Sequence, residues 1–223
     1  MAVRSHVSNA VQDYAKAIWS LAQRGDEPVS TSALAERLEV SPASASAMVK
    51  RLESMGLVEH EPYHGVKLTP AGERVALEVL RHHRLLELYL AEALGMSWDR
   101  VHEEAEVLEH AISPALSELI AAKLGNPTHD PHGDPIPTAD GEIDEAPTTA
   151  LADLEPGARG VFVRMSDSDP HMLRYLAERG IAPGDRFEVV EREPFEGPLT
   201  VVFGARSHVL GGALTQAMRT TAA

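Results

Sequence analysis

The run His102-Glu103-Glu104-Ala105-Glu106-Val107-Leu108-Glu109-His110 constrains this chain more than any other stretch. Each helical residue turns about 100°. With His102 at zero, Glu106 falls near about 40°, Glu109 near about −20° and His110 near about 80°. Four good metal ligands then share an arc of roughly 100°. Val107, Leu108, Ala111 and Ile112 point elsewhere and give the helix an apolar side to bury. A solvated acidic face is the ordinary meaning of such a run. Two histidines bracketing two in-phase glutamates set a metal site beside it as an equal alternative.

Composition narrows the chemistry. The 223 residues suffice for one large domain or two to three small ones. There is no cysteine, which excludes disulfides, cysteine-held iron–sulfur clusters and cysteine-ligated zinc, and fits a reducing compartment. No run approaches the roughly 18 apolar residues of a membrane span, and the N-terminus lacks an apolar secretory core. The expectation is a soluble cytoplasmic protein with no membrane partner. A net charge of −14 argues at first against nucleic acid. The charge is uneven, however: residues 1–75 carry eight Lys/Arg against nine Asp/Glu, and the remainder twelve against twenty-five. Phosphate contact needs only a local cationic surface.

Helical spacing of Val11, Tyr14, Ala15, Ile18 and Leu21 predicts a helix over 8–24, with Ser8 as cap. A second amphipathic helix is predicted over 30–38. A third runs over about 42–55, opened by Pro42 and closed by Gly56. Residues 57–60 and 66–69 read as two short strands joined by Pro62-Tyr63-His64-Gly65. A long helix over about 70–93 follows, then helices over 98–111 and 114–124 with Ser97 and Ser113 as caps. Residues 125–157 are rich in Pro, Gly and acidic groups and read as a partly ordered linker. Strands are predicted over 158–166, 185–192, 198–204 and 206–210, and a helix over 170–179. Together these predict a small β-barrel.

Two helices and a hairpin in this order match a winged helix-turn-helix, whose second helix enters the major groove. Ser41, Pro42, Ala43, Ser44, Ser46 and Ala47 lie at the exposed start of that helix. Small residues let it approach base edges, and hydroxyls can bond phosphates or bases. Lys50 and Arg51 add charge further along, and His64 and Lys67 sit on the wing. The alternative is a helical domain that contacts protein, with Lys50 and Arg51 on an ordinary solvated face.

Five stretches then carry a family resemblance. They are Gln12-Asp13-Tyr14 with Ala17-Ile18-Trp19, the winged helix, Arg81-His82-His83-Arg84-Leu85-Leu86-Glu87, the His102–His110 run, and Asp130-Pro131-His132-Gly133-Asp134-Pro135-Ile136-Pro137. In this order the chain resembles the diphtheria toxin repressor family of metal-dependent regulators, over nearly its whole length. The resemblance implies a mainly α fold with a C-terminal all-β domain. Its parts are a winged helix-turn-helix over 1–73, a helical dimerisation and metal-binding domain over 74–140, a linker over 141–157 and an SH3-like (FeoA-like) barrel over 158–223. It implies a primary metal site of Asp13, Glu106, Glu109 and His110, and a second of His83, Glu87 and His102. Asp169 in the barrel aligns loosely with a further ligand position, and His171 lies nearby; a surface-loop role is the alternative for both.

The resemblance also has departures. Iron-responsive members carry Met and Cys where this chain has Asp13 and Glu106, and the harder carboxylates suit Mn²⁺ better. The manganese-responsive branch resembles the chain at those two positions. Some of its members carry a glutamate where this chain has Lys16, so their compact two-manganese geometry is not carried over. Ala47 stands where the diphtheria toxin repressor has Gln, so no base contact is inherited there. The expected function is a homodimeric, manganese-activated repressor that binds operator DNA and controls metal-uptake genes, not an enzyme. An Fe²⁺-responsive regulator is the alternative within the family. A metal-dependent hydrolase is the alternative outside it, since a metal with an open position can activate water.

Overall fold

The computed structural model describes residues 7–222 except 24, 26, 27, 62, 63, 167, 168 and 196. The chain divides into two compact units, Met1–His82 with Pro137–Glu142 and His83–Ile136 with Ile143–Ala223.

In the first unit, α1 (Asn9–Ala22) turns Val11, Tyr14, Ile18 and Leu21 inward. Ser8 holds the position before α1 without making a side-chain cap bond. The next two helices are capped as their sequences suggest. Ser30 Oγ accepts the Ala33 N–H at 3.0 Å before α2 (Thr31–Arg37), and Ser41 Oγ accepts the Ser44 N–H at 3.1 Å before α3 (Pro42–Ser54). Each such cap contributes about 1 kcal/mol. Gly56, at φ 69°, takes the left-handed conformation that ends the α3 turn. Strands β1 (Val58–Glu61) and β2 (Gly65–Leu68) pair antiparallel, with Val58 opposite Leu68. Val29 adds a bridge to Val66. Pro62 and Tyr63 of the expected turn lie outside the described residues. Leu34, Val49, Leu52 and Val66 are fully buried against the inner side of α1, which fixes α3 and the hairpin as one body.

Helix α4 (Pro70–Leu94) is continuous over 25 residues. In the second unit its later turns pack with α5 (Val101–Leu108) and α6 (Pro114–Lys123) around Leu85, Leu88, Ala105, Ile120 and Ile136. Ser113 caps α6 by accepting the Leu116 N–H at 3.2 Å. Ser97 is not the cap expected of it, because α5 starts only at Val101. The residues before α5 are drawn elsewhere. Ser97 donates to the Asp99 carboxylate, Asp99 accepts from Arg174 Nε at 3.1 Å, and Trp98 packs on the core of the C-terminal sheet.

That sheet has six antiparallel strands in the order β3-β8-β4-β5-β6-β7. They are β3 (Thr149–Ala150), β4 (Arg159–Met165), β5 (Arg186–Arg192), β6 (Leu199–Phe203), β7 (Arg206–Leu210) and β8 (Met218–Ala222). Helix α7 (Pro170–Arg179) covers one side with Leu173 and Leu176, and α8 (Gly212–Ala217) leads into β8. Leu199, Val201 and Phe203 alternate inward along β6 as period two requires. Within the stretch expected as linker, residues 149–153 form β3 and a 3-10 turn that buries Leu151 fully.

The loop 125–136 is held between the helices and the sheet. Gly133 has φ +85°, and a Cβ there would lie 1.8 Å from the Val163 carbonyl oxygen. Gly133→Ala is therefore expected to cost about 1–3 kcal/mol from backbone strain alone, with the clash added. Thermal unfolding measures this, and an unchanged midpoint would contradict so close an approach.

Candidate metal centre and nucleic-acid interface

Four histidines and several carboxylates of the second unit form one contiguous cluster. His83 and Glu87 are one turn apart on α4, and His83 Nε2 lies 2.9 Å from Glu87 Oε1. α5 brings up His102, whose Nδ1 lies 3.2 Å from the same Glu87 oxygen and 3.1 Å from His83 Nε2. His102 Nε2 is 3.6 Å from Glu106 Oε1, and His83 Nδ1 is 2.5 Å from Glu109 Oε2. His110 Nε2 stands 3.5 Å from Glu109 Oε1. The ligand atoms of His83, His102 and Glu106 all fall within 4.8 Å of one another. So do those of Glu87, Asp130 and His132, and all three of these residues are buried.

Of the second group, Glu87 was expected from its helical spacing to His83, whereas Asp130 and His132 were missed. Asp130 and His132 lie in the Asp130–Pro137 segment, where a turn rather than a helix positions them. Asp130 Oδ1 accepts the N–H groups of His132 at 2.8 Å and Asp134 at 2.9 Å. Arg84 of α4 anchors the loop by donating to the Pro135 carbonyl, with Asp134 Oδ1 3.5 Å from its Nη2. His132 Nε2 lies 2.7 Å from the Trp98 carbonyl and donates to it. The signal in the sequence was an Asp and a His two residues apart inside a Pro/Gly turn.

Electrostatics single out Glu87. It is 0% exposed, and burial by itself would push its pKa up. The charge of His83, hydrogen bonds from His102 and His83, and the His132 imidazole close by outweigh burial and hold it well below the usual carboxylate range. For His132 burial pushes down, but the neighbouring Glu87 carboxylate, with the Asp130 charge, raises it to about 9. Asp130 is pushed well above its ordinary value by burial and by the charges of Asp134 and Glu87. Glu87 Oε2 and His132 Nδ1 are 3.7 Å apart, and both are buried without a hydrogen-bond partner. Buried polar atoms left unpaired are costly. A divalent cation fits this donor set, since it would satisfy both atoms at once.

Asp13 lies half-buried on α1, in the first unit. Asp169 and His171 fall in no ligand group among the described residues. The Asp169 carboxylate instead caps α7, accepting the His171 N–H at 2.9 Å.

At the nucleic-acid side, the cap residue Ser41 and Pro42, Ala43, Ser44, Ser46, Ala47, Lys50 and Arg51 of α3 are all exposed, while Ala45, Val49 and Leu52 face the core. His64 and Lys67 are exposed on the hairpin. A helix with small residues at its N-terminal end and two cations a turn later can lie against a groove and its phosphates.

Comparison with known proteins matches this division. Residues 6–66 match the iron dependent repressor N-terminal DNA binding domain, 69–138 the iron dependent repressor metal binding and dimerisation domain, and 149–218 the FeoA domain. The iron-dependent repressor IdeR of Mycobacterium tuberculosis is 30% identical over 92% of this chain and 94% of its own length. The diphtheria toxin repressor of Corynebacterium efficiens is 30% identical over 81% of this chain and 82% of its own. Among solved structures, a manganese-dependent transcriptional repressor in complex with manganese is 44% identical with a TM-score of 0.89, covering 96% of this chain and all of the other. The manganese regulator SloR is 30% identical with a TM-score of 0.76, covering 96% and 98%. The chain belongs to the iron-dependent, or diphtheria toxin, repressor family: it is a metal-dependent, DNA-binding transcriptional repressor. Family membership thus matches the repressor reading of the ligand cluster. No helix among the described residues is long and apolar enough to cross a membrane.

Proposed function

We propose that the chain is a manganese-activated repressor of metal-uptake genes, acting as a cytoplasmic homodimer on operator DNA. The observation that carries the choice of metal is the donor set. Every candidate ligand is a carboxylate or an imidazole, and the chain has no cysteine. The primary set of Asp13, Glu106, Glu109 and His110 has three carboxylates and one imidazole, and such an oxygen-rich site suits the octahedral coordination that Mn²⁺ favours. The similarity to a repressor solved with manganese supports the same reading.

The resemblance assigns Asp13, Glu106, Glu109 and His110 to the primary site and His83, Glu87 and His102 to the second. The geometry adds Asp130 and His132 as partners of Glu87. A bound cation would supply positive charge that joins carboxylates from separate segments. Glu106, Glu109 and His110 present their donors from α5 and its end, and Asp13 from α1. Activation follows if these residues hold metal more tightly in the DNA-competent arrangement than in any other. The domain boundaries 1–73, 74–140, 141–157 and 158–223 fit this division of labour, and a two-fold dimer would present two α3 helices to a pseudo-palindromic site.

Affinity alone follows the general divalent series, in which Mn²⁺ binds more weakly than Fe²⁺ or Zn²⁺. Selective response must therefore come from geometry. At matched free-metal concentrations, Mn²⁺ is expected to activate DNA binding at least as fully as Fe²⁺. Zn²⁺ is expected to bind yet activate less, because it can settle for four ligands. Asp13→Met with Glu106→Cys should shift the response toward softer metals. Full activation by Zn²⁺ with little response to Mn²⁺ in a gel-shift series would overturn the assignment.

A further inference from the structure

The segment before α5 is gripped by the C-terminal sheet domain and also touches the buried ligand group. Trp98 packs against the sheet core that contains Phe162, Leu173 and Leu176. Its ring stacks on that of His132, with centroids 5.8 Å apart and planes 27° apart. Its carbonyl oxygen lies 2.7 Å from His132 Nε2. A carbonyl can only accept, so Nε2 carries a proton and the ring's other nitrogen, Nδ1, is the one left to ligate. That atom is the buried, unpartnered one facing Glu87 Oε2 at 3.7 Å. The sheet domain holds the same place from two further sides. Met165 N–H on β4 donates to the His132 carbonyl at 2.9 Å, and Arg174 on α7 donates to Asp99 at 3.1 Å.

We propose that Trp98 is a positioning residue for the buried metal group: seated in the sheet-domain core, it fixes the His132 ring with Nδ1 toward Glu87, so that sheet-domain docking and metal binding are one linked equilibrium. This rests on reading Glu87, Asp130 and His132 as metal ligands. The carbonyl presets the tautomer, and the indole ties that carbonyl to the sheet. A sheet domain that loosens withdraws the acceptor and frees the ring to turn. By reciprocity, metal at His132 must tighten docking by the factor that docking tightens metal.

The chain has two tryptophans, Trp19 and Trp98, so the full-length Trp19→Phe variant leaves Trp98 as the sole indole emitter. Titration with Mn²⁺, a paramagnetic quencher, should give saturable quenching of Trp98 that His132→Gln abolishes. Free Mn²⁺, followed by electron paramagnetic resonance, then gives affinities with both tryptophans present. Trp98→Ala should weaken the His132-dependent class of binding by about 10- to 100-fold, the usual effect of losing a partner that orients a ligand. Trp98→Phe keeps a stacking ring and the backbone carbonyl, and should restore affinity to within about threefold of the starting protein on the same principle. If Trp98→Ala does not fold, Arg174→Ala loosens the same docking from the exposed side of α7 and should shift affinity in the same direction. Equal affinity in Trp98→Ala (or, in its place, Arg174→Ala) and the starting protein, with His132→Gln impaired, would overturn the positioning role alone. Full Mn²⁺ binding and quenching in His132→Gln would overturn the ligand reading beneath it.

Discussion

Glu109→Ala and His110→Ala are each expected to abolish metal-dependent DNA binding and leave the fold largely intact. Glu109 is 1% exposed, accepts from His83 Nδ1 at 2.5 Å and stands 3.5 Å from His110. Removing its carboxylate takes away a donor and leaves His83 short of a partner at the centre of the cluster. Loss of an outer partner alone costs about 10- to 100-fold in metal affinity, and loss of a ligand should cost more. The two positions lie at the end of α5, where Glu109 closes the last turn through its N–H to the Ala105 carbonyl. Alanine keeps that backbone bond, so the helix should persist. Circular dichroism with and without Mn²⁺ separates folding from activation, and DNA anisotropy reads the activation. Undiminished Mn²⁺ activation in both variants would rule out the primary-site assignment.

The second large effect concerns the DNA contact itself. Lys50 and Arg51 are exposed on α3, whose opposite side is locked into the core by Val49 and Leu52. Their contribution should run mainly through phosphates, so the double alanine variant should lose affinity for every sequence alike. Each lost phosphate contact should also reduce the slope of log K against log salt by about one. Small residues further up the helix, among them Ala43 and Ala47, should affect sequence preference instead. Unchanged affinity and salt slope in the double variant would mean that another surface meets DNA.

The legible part of this molecule is the part governed by periodicity. His83 with Glu87, and His102 with Glu106, stand four residues apart, and helical geometry alone puts each pair on one side of its helix. The winged helix was equally readable, because Ser30, Ser41, Pro42 and Gly56 punctuate its helices with recognisable chemistry. Asp130 and His132 escaped because a turn closed by an Asp130 side chain has no period to detect. Their neighbours Pro131, Gly133 and Pro135 look like linker composition. Strand β8 escaped for a different reason. Its sequence Met-Arg-Thr-Thr-Ala is polar, yet Thr220 is buried with its hydroxyl donating to the Thr149 carbonyl at 2.9 Å. Ser97 misled because tertiary contacts of Trp98 and Asp99 override a local capping preference.

Anisotropy of a labelled promoter fragment bearing the operator, followed as free Mn²⁺ is raised in a metal buffer and then withdrawn with chelator, tests the central claim most directly. Tight binding that appears with Mn²⁺, saturates, and reverses on chelation is the result predicted. Equal affinity for the fragment with Mn²⁺ and with chelator would contradict a metal-activated repressor.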